Sequence, residues 1–265
     1  MAGVDITVNG IFHHEGALAI PALASMRDMV AAARAAGLRI QAQAVLDLPN
    51  ELTRDVVARC GDWLDAVDEV SFGDVGLSRN AGLETSVGEY CAFLDGDDLW
   101  GADWLTAAHA VATARNAPAD AIWHPQWIYV FYETDFDHYS RTATPNPAAE
   151  SFFLIQESSA DPGFDRDFLF LNNMWTANAF ARRRIYERFP YAPVDRTRGF
   201  GVEDWRWHMQ TVWSGLRHCI VPKAVHLVRQ KETGSLNQRN DAEGLLAVFP
   251  AGATPKYGPE PGALR

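Results

Sequence analysis

The chain of 265 residues is expected to form an α/β domain with a mainly parallel central sheet flanked by helices. Two observations carry that expectation. Short apolar strands alternate with segments of helical period between residues 6 and 94, the pattern of a parallel sheet with helices on its faces. One of those strands, Tyr90-Cys91-Ala92-Phe93-Leu94, ends abruptly in Asp95-Gly96-Asp97-Asp98. Carboxylates lose hydration on burial and need compensation. Three of them at a strand end therefore indicate a cation, a hydrogen-bond network or a solvated acidic turn.

The elements follow in order. Ile6 to Phe12 reads as a strand and His13-His14-Glu15-Gly16 as a loop. Pro21 to Ala36 places Leu23, Met26, Val30 and Ala33 at helical spacing, with Pro21 in the first turn and Gly37 as the stop. Arg39 to Leu46 is a second strand running into Asp47. Leu52 to Leu64 is a second helix, Glu69 to Phe72 a short strand, and Gly76 to Thr85 a third helix. In parallel sheets, ligands bind at the carboxyl ends of the strands. Three features collect at that edge: the His13 loop, Asp47, and Asp95 to Asp98. Beyond it, Trp100 to Ala117 reads as a helix capped by Asp103, and Ala121 to Tyr132 as an aromatic, β-branched strand. Residues 133–162 are polar, with Pro145, Pro147 and Pro162, and are expected to form a long irregular excursion.

Composition narrows the function. The chain is 48% hydrophobic and 22% charged, with 9 Trp and 14 Phe to build a core. A formal net charge of -11, with Arg182-Arg183-Arg184 as the one basic cluster, argues against a nucleic-acid partner. The 3 cysteines, Cys60, Cys91 and Cys219, lack metal or redox spacing and fit buried free thiols in a reducing compartment. No signal peptide or integral membrane segment is expected, so the location is read as cytoplasmic, with the inner membrane face as a peripheral site. Neither a G-x-G-x-x-G turn nor a P-loop occurs. A bound nucleotide would need another counter-charge for its phosphates, and a divalent cation on the aspartates would supply it.

Three blocks carry a family resemblance: Gly76-Leu77-Ser78-Arg79-Asn80-Ala81-Gly82, Gly88-Glu89-Tyr90 and Phe93-Leu94-Asp95-Gly96-Asp97-Asp98. In this order they resemble the nucleotide-sugar core of family 2 glycosyltransferases, which have the GT-A fold. The resemblance implies that Asp95 contacts the donor ribose and Asp97 helps hold a metal. It also implies that Asp47 contacts the base and that Arg79 lies near the nucleotide. Ile11, His13, Gly76 and Gly96 complete the expected donor-binding set. The chain departs from the family where Leu48-Pro49-Asn50 follows Asp47, and again at Asn9 to His13.

A second constellation, Gly199-Phe200-Gly201-Val202-Glu203-Asp204-Trp205, opens a helix with two carboxylates. Acidic residues in a first turn are favoured by the helix dipole alone. Followed by Pro222 to Arg229 and Gly234-Ser235-Leu236, however, the block resembles the family's C-terminal half. There the resemblance implies Asp204 as catalytic base, with Glu203 beside it orienting the acceptor or tuning Asp204, and His226 completing the metal site of Asp97. Asn172, Asn173 and Asn178 are candidates to face sugar hydroxyls, or are turn and cap residues.

The expected organisation is a single GT-A type domain over residues 1–236. Its nucleotide-binding half covers about 1–100 and its acceptor half about 101–236; residues 237–265 form an extension read as a lid, an oligomer arm or a tail. The expected activity is metal-dependent, inverting transfer of a sugar from a nucleotide-diphosphate sugar, with UDP favoured, to a carbohydrate or glycolipid hydroxyl in bacterial glycan synthesis. Mn²⁺ or Mg²⁺ is the expected cofactor, and a homo-oligomer is an open option. Two other classes are a sugar-phosphate nucleotidyltransferase, which would need a basic phosphate loop that Ile11 to Gly16 lacks, and a non-catalytic nucleotide-sugar or glycan-binding module.

Overall fold

The computed structural model describes residues 3–138, 149–231 and 235–254. Expected features at Pro145 and Pro147, at Gly234 and at residues 255–265 lie outside the described residues. The central strand is β1 (Ile6–Phe12), buried along its whole length. Parallel to it run β2 (Ile40–Asp47) on one side and β4 (Tyr90–Asp95) on the other, with β3 (Ala66–Val70) parallel to β2 beyond. Between them α1 (Ala19–Ala35), α2 (Glu51–Cys60) and α3 (Val75–Thr85) make the crossovers.

Past β4 the sheet becomes mixed. The remaining elements are β5 (Leu99–Trp100), α4 (Trp104–Ala112), β6 (Ala121–Tyr132), β7 (Phe152–Ile155), β8 (Phe180–Arg182), α5 (Arg183–Arg188), α6 (Glu203–Trp213), β9 (Arg217–Gln230) and α7 (Leu236–Ala242). The sheet order is β3-β2-β1-β4-β8-β6-β9-β5, with β7 paired to β6. β8 is antiparallel to both of its neighbours, whereas β6 and β9 run parallel.

The period-two alternation of strands divides the core between the two faces. Along β4, Tyr90, Ala92 and Leu94 join Met26, Met29, Val30, Trp104 and Phe180. Cys91 and Phe93 point the other way, to Ile185, Tyr186, Tyr191 and Trp207. Among the described residues, the stretch long and apolar enough to cross a membrane is Gly16–Ala35. It lays Leu23, Met26, Met29, Val30 and Ala33 into the core of this fold.

Several boundaries differ from expectation for local physical reasons. The second helix stops at Cys60, where Gly61 follows. The third strand ends at Val70, because the amides of Phe72, Gly73 and Asp74 turn to the Asp47 carboxylate. The helix expected from Trp100 starts at Trp104, because Leu99 and Trp100 pair antiparallel with Leu227 and His226. Asp103 precedes this helix without a side-chain cap. A boundary at residue 236 falls at the first residue of α7, and the described part of the extension is packed: Ala247 is buried with Leu169, Trp175 and Met209. Leu246 also pairs with the Gly199–Gly201 segment in front of α6.

Gly88, part of the motif before β4, is required by close approach. A Cβ there would lie 2.6 Å from the carbonyl carbon of Ile6 and would also strike the Thr7 nitrogen. Backbone cannot retreat as a side chain can. Gly88→Ala is expected to lower unfolding free energy by about 1–3 kcal/mol, measured by urea denaturation; an unchanged midpoint would mean that β1 can shift.

Candidate active site

β1, β2 and β4 end side by side: Ile11 pairs with Asp95 across one ladder and with Val45 across the other. Ile11 itself is buried, so it contributes wall and backbone. Gly96 turns the chain beneath it, where a Cβ would lie 2.7 Å from the Ile11 carbonyl oxygen.

Arg79, on α3, is the centre of the site. It is 2% exposed, and its guanidinium forks between two carboxylates. Nη2 donates to Asp95 Oδ1 at 2.7 Å, and Nη1 donates to Glu203 Oε1 at 2.7 Å. The two acids are far apart in the chain: Asp95 lies 16 residues after Arg79 and Glu203 lies 124 after it. Burial alone would weaken the positive charge, but Asp95 and Glu203 outweigh it and hold the Arg79 pKa well above its usual value. The Tyr191 ring lies 5.4 Å from the guanidinium carbon. Gly76, one turn earlier on α3, permits the approach: a Cβ there would be 3.0 Å from Glu203 Cγ. Arg79 and Gly76 thus act in the structure through Asp95 and Glu203.

Glu203 is buried and committed to Arg79, which leaves Asp204 as the available carboxylate of the pair. Asp204 is half-buried. Its Oδ2 accepts from Asn173 Nδ2 at 2.9 Å, and its Oδ1 from the Trp205 amide at 2.7 Å. Burial, then the neighbouring Glu203 charge, push its pKa up to about 7, against the pull of Arg79. Val202, just before the pair, sits at φ 57° and ψ 64°, a left-handed conformation that is a genuine outlier for a β-branched residue. Such strain persists where surrounding structure imposes it, and it clusters at functional sites. Leu246 accepting from the Gly201 amide is part of what holds this turn.

Asp47 and His226 are engaged otherwise than expected, whereas His13 stands at the rim. Asp47 is 3% exposed, and both its oxygens are occupied. Oδ1 accepts from the amides of Phe72 and Gly73 at 2.7 and 2.9 Å; Oδ2 accepts from the Asp74 amide and Ser78 Oγ at 3.0 and 2.9 Å. A carboxylate has about four lone-pair sites, so Asp47 holds the turn before α3 and has none left for a base. His13 is exposed; its ring contacts the Asp47 carbonyl and stacks on His14, with centroids 3.8 Å apart. This gives the strand-end rim a pair of imidazole faces. His226 is fully buried and lies 3.0 Å from Asp98 Oδ2, with Asn178 Nδ2 at 2.9 Å and the Trp100 ring stacked on it. It therefore engages Asp98, the residue after Asp97. Burial raises the Asp98 pKa to about 6 in spite of the imidazole.

Asp97 faces the rim, and Lys231 Nζ lies 2.5 Å from its Oδ2. Glu15 is nearby, its pKa raised by burial and by Asp97, with Lys231 opposing. Asp95 and Asp97 offer hard oxygens of the kind that hold Mg²⁺ or Mn²⁺, so the donor set fits a divalent cation at Asp97. An arriving ion would replace the Lys231 ammonium as the counter-charge. Sequence reasoning placed the loop of Glu15 at this edge without giving Glu15 a role, and it missed Lys231: a lone Lys after a strand carries no periodic signal, and only folding sets it beside Asp97. Asn173 was among the candidates, but on Asp204 rather than on a sugar.

No protein-family model and no curated protein matches this chain. Solved structures do resemble it. S. aureus TarS 1–349 in complex with UDP-GlcNAc aligns with TM-score 0.58 and 14% identity over 87% of this chain and 60% of that one. Mannosyltransferase PcManGT from Pyrobaculum calidifontis, with GDP-Man and Mn²⁺, aligns with TM-score 0.59 and 17% identity over 91% and 63% of the respective chains. GalNAc-T7 with UDP, GalNAc and Mn²⁺ gives TM-score 0.55 and 15% identity over 86% of this chain and 44% of that one. The chain thus spans about 60% of the TarS 1–349 length. What these proteins share with this chain is the GT-A fold: a mostly parallel sheet flanked by helices.

The Asp204 pKa gives a stability signature. A carboxyl whose pKa is raised in the folded state binds its proton more tightly there than in the unfolded chain. Its contribution is therefore full below the unfolded pKa of 3.8 and is lost as pH rises through about 7. Asp204→Asn removes that titration. The stability of the variant relative to wild type, from urea unfolding, should increase as the pH is raised to about 7 and stay level above. A pH-independent difference would show that Asp204 has an ordinary pKa.

Proposed function

We propose that this protein is a metal-dependent inverting glycosyltransferase of the family 2 type, moving a sugar from a nucleotide-diphosphate sugar to a hydroxyl acceptor. The observation that carries the reading is the Arg79 fork, which sets the strand-end Asp95 and the helix-start Glu203-Asp204 at one edge of the sheet. A transferase of this kind needs a donor-side carboxylate set and an acceptor-side base in one cleft.

In this reading Asp97 would hold the cation and Asp95, anchored by Arg79, would meet the donor ribose. When bound, the cation stabilises negative charge on the departing nucleoside diphosphate without a proton transfer. Ile11, Gly96 and the exposed His13 border the donor. Asp204 takes the proton of the acceptor hydroxyl as its oxygen attacks the anomeric carbon. The bond to the diphosphate oxygen breaks as the new glycosidic bond forms, so a single displacement inverts the anomeric centre. Asn173, donating to Asp204 Oδ2, orients the other oxygen toward the acceptor. A base with a pKa of about 7 is half-ionised near neutral pH, and ionised Asp204 is the working form. UDP is the favoured nucleotide, and a carbohydrate or glycolipid in bacterial glycan synthesis the favoured acceptor. For the nucleotide, the TarS and GalNAc-T7 complexes with UDP ligands support this choice, and the GDP-Man complex of PcManGT makes GDP the alternative.

A thermal-shift panel of UDP, GDP, dTDP and CMP, with and without Mn²⁺, tests the donor side. One diphosphate should raise the melting temperature more with the ion than without. Asp97→Ala should abolish that increment; the same increment in the variant would remove Asp97 as the ion's ligand. On the acceptor side, Asp204→Asn should keep the shift and lower transfer by about 10²–10⁴-fold, and a variant at wild-type rate would eliminate Asp204 as the base.

A further inference from the structure

Behind Asp204 lies a cluster that the transfer reaction does not use. His124 on β6, His208 on α6 and His218 on β9 are all fully buried. One ring nitrogen from each lies within 4.8 Å of the others. Their ring centroids are 5.1 to 5.6 Å apart. Trp175 closes the cluster from above, stacked on His218 at 4.2 Å and on His124 at 5.4 Å.

The hydrogen bonds fix the tautomers. The Thr211 hydroxyl shares its one proton between the carbonyls of Trp207 and His208, at 2.8 and 3.0 Å, so its oxygen accepts from His218 Nε2 at 2.9 Å. His218 therefore carries its proton on Nε2, and Nδ1 holds a lone pair. Asn173 spends its amide protons on Asp204, so its Oδ1 accepts from His208 Nδ1 at 2.8 Å. That leaves a lone pair on His208 Nε2, which is buried and has no partner among the described residues. His124 Nε2 meets His218 Nδ1 at 2.8 Å, and its Nδ1 likewise lacks a partner among the described residues.

We propose that His124, His208 and His218 form a buried binding site for one borderline transition-metal ion of the Zn²⁺ class. Imidazole nitrogen suits Zn²⁺, Co²⁺, Ni²⁺ and Cu²⁺. A metal-binding histidine normally donates its other ring N–H to a partner that fixes its orientation. His208 already does so to Asn173, and His218 to Thr211. His124 must change: its proton moves from Nε2 to Nδ1, with no net proton released, its Nε2 lone pair then faces the ion, and the Nδ1–H is left without a partner among the described residues, a cost that the metal–nitrogen bond must offset. Burial keeps all three imidazoles neutral and so able to ligate, with the His208 pKa lowered to about 3. With metal–nitrogen bonds of about 2.0–2.1 Å, tetrahedral ligand nitrogens stand about 3.3 Å apart. The His124–His218 pair opens by a fraction of an ångström to reach that spacing, and His208 closes toward it. The ion ties α6 to the β6–β9 ladder, and through His208 and Asn173 it fixes the orientation of Asp204. All three histidines are 0% exposed, so the ion would enter as the chain folds, with its fourth coordination position left to a trapped water. This assignment stands apart from the transferase reading, because its readout is metal content and not activity.

The test uses the full chain without a histidine tag, produced in Zn²⁺-supplemented medium and dialysed against a chelator to strip surface and Asp97-bound ions. Elemental analysis should find about one Zn per chain. Asp97→Ala should retain it and His208→Gln should lose it. Growth in Co²⁺ in place of Zn²⁺ should give visible d–d absorption bands of a nitrogen-rich, low-coordinate site. If His208→Gln does not fold, the wild-type and Asp97→Ala metal contents and the cobalt spectrum decide. Wild-type chain free of metal after these steps, or ion retained equally by a folded His208→Gln, would overturn the proposal and leave the cluster as a neutral hydrogen-bonded chain.

Discussion

The buried Arg79 guanidinium is the constraint on which the rest of the site depends. A buried charge is tolerated only when paired and hydrogen-bonded, and removing one partner of such a pair typically costs about 3–5 kcal/mol. Arg79 has two partners, one at the end of β4 and one at the start of α6. Glu203 could not be buried here without Arg79. The fork sets where α6 begins relative to the sheet edge, and hence where Asp204 stands. Tyr191 over the guanidinium and Gly76 beside Glu203 are the packing that lets Arg79 and Glu203 meet in a buried place, while Asp95 keeps access to solvent.

Around this pair the site is built as a graded set of carboxylates. Asp47 is fully spent on backbone amides, Glu203 on Arg79, and Asp98 on His226. These inner acids shape turns and strand ends. Asp95, Asp97 and Asp204 retain exposure, with Asp95 31% and Asp97 17% exposed. Division of labour by burial explains why the chain carries so many acids at one edge. Lys231 against Asp97 shows how the rim balances its charge.

Much of this was legible in the sequence because it follows from local pattern. β1, β2, α1, α3 and β4 lie within a few residues of the positions that periodicity gave, since each buries a continuous face. The two acidic blocks were legible through their spacing to glycine and arginine. What could not be read depends on partners distant in the chain. Nothing in Asp47-Leu48-Pro49 announces that the amides of Phe72 to Asp74 will fill its lone pairs. His226 pairs with Asp98 because β5, too short for any pattern, lays Trp100 beside it. Residues 237–265 were expected as a lid, an oligomer arm or a tail, yet Leu246 among them supports the strained Val202 turn. The buried histidines His124, His208 and His218 are scattered over three elements and gave no motif.

The central claim is that Arg79 and Glu203 lock the two halves of the site together. The most direct measurement is a double-mutant cycle of Arg79→Met and Glu203→Gln by urea unfolding. The account predicts that each single change is strongly destabilising and that the pair is coupled by about 1–3 kcal/mol. Additive losses, with coupling near zero, would contradict it.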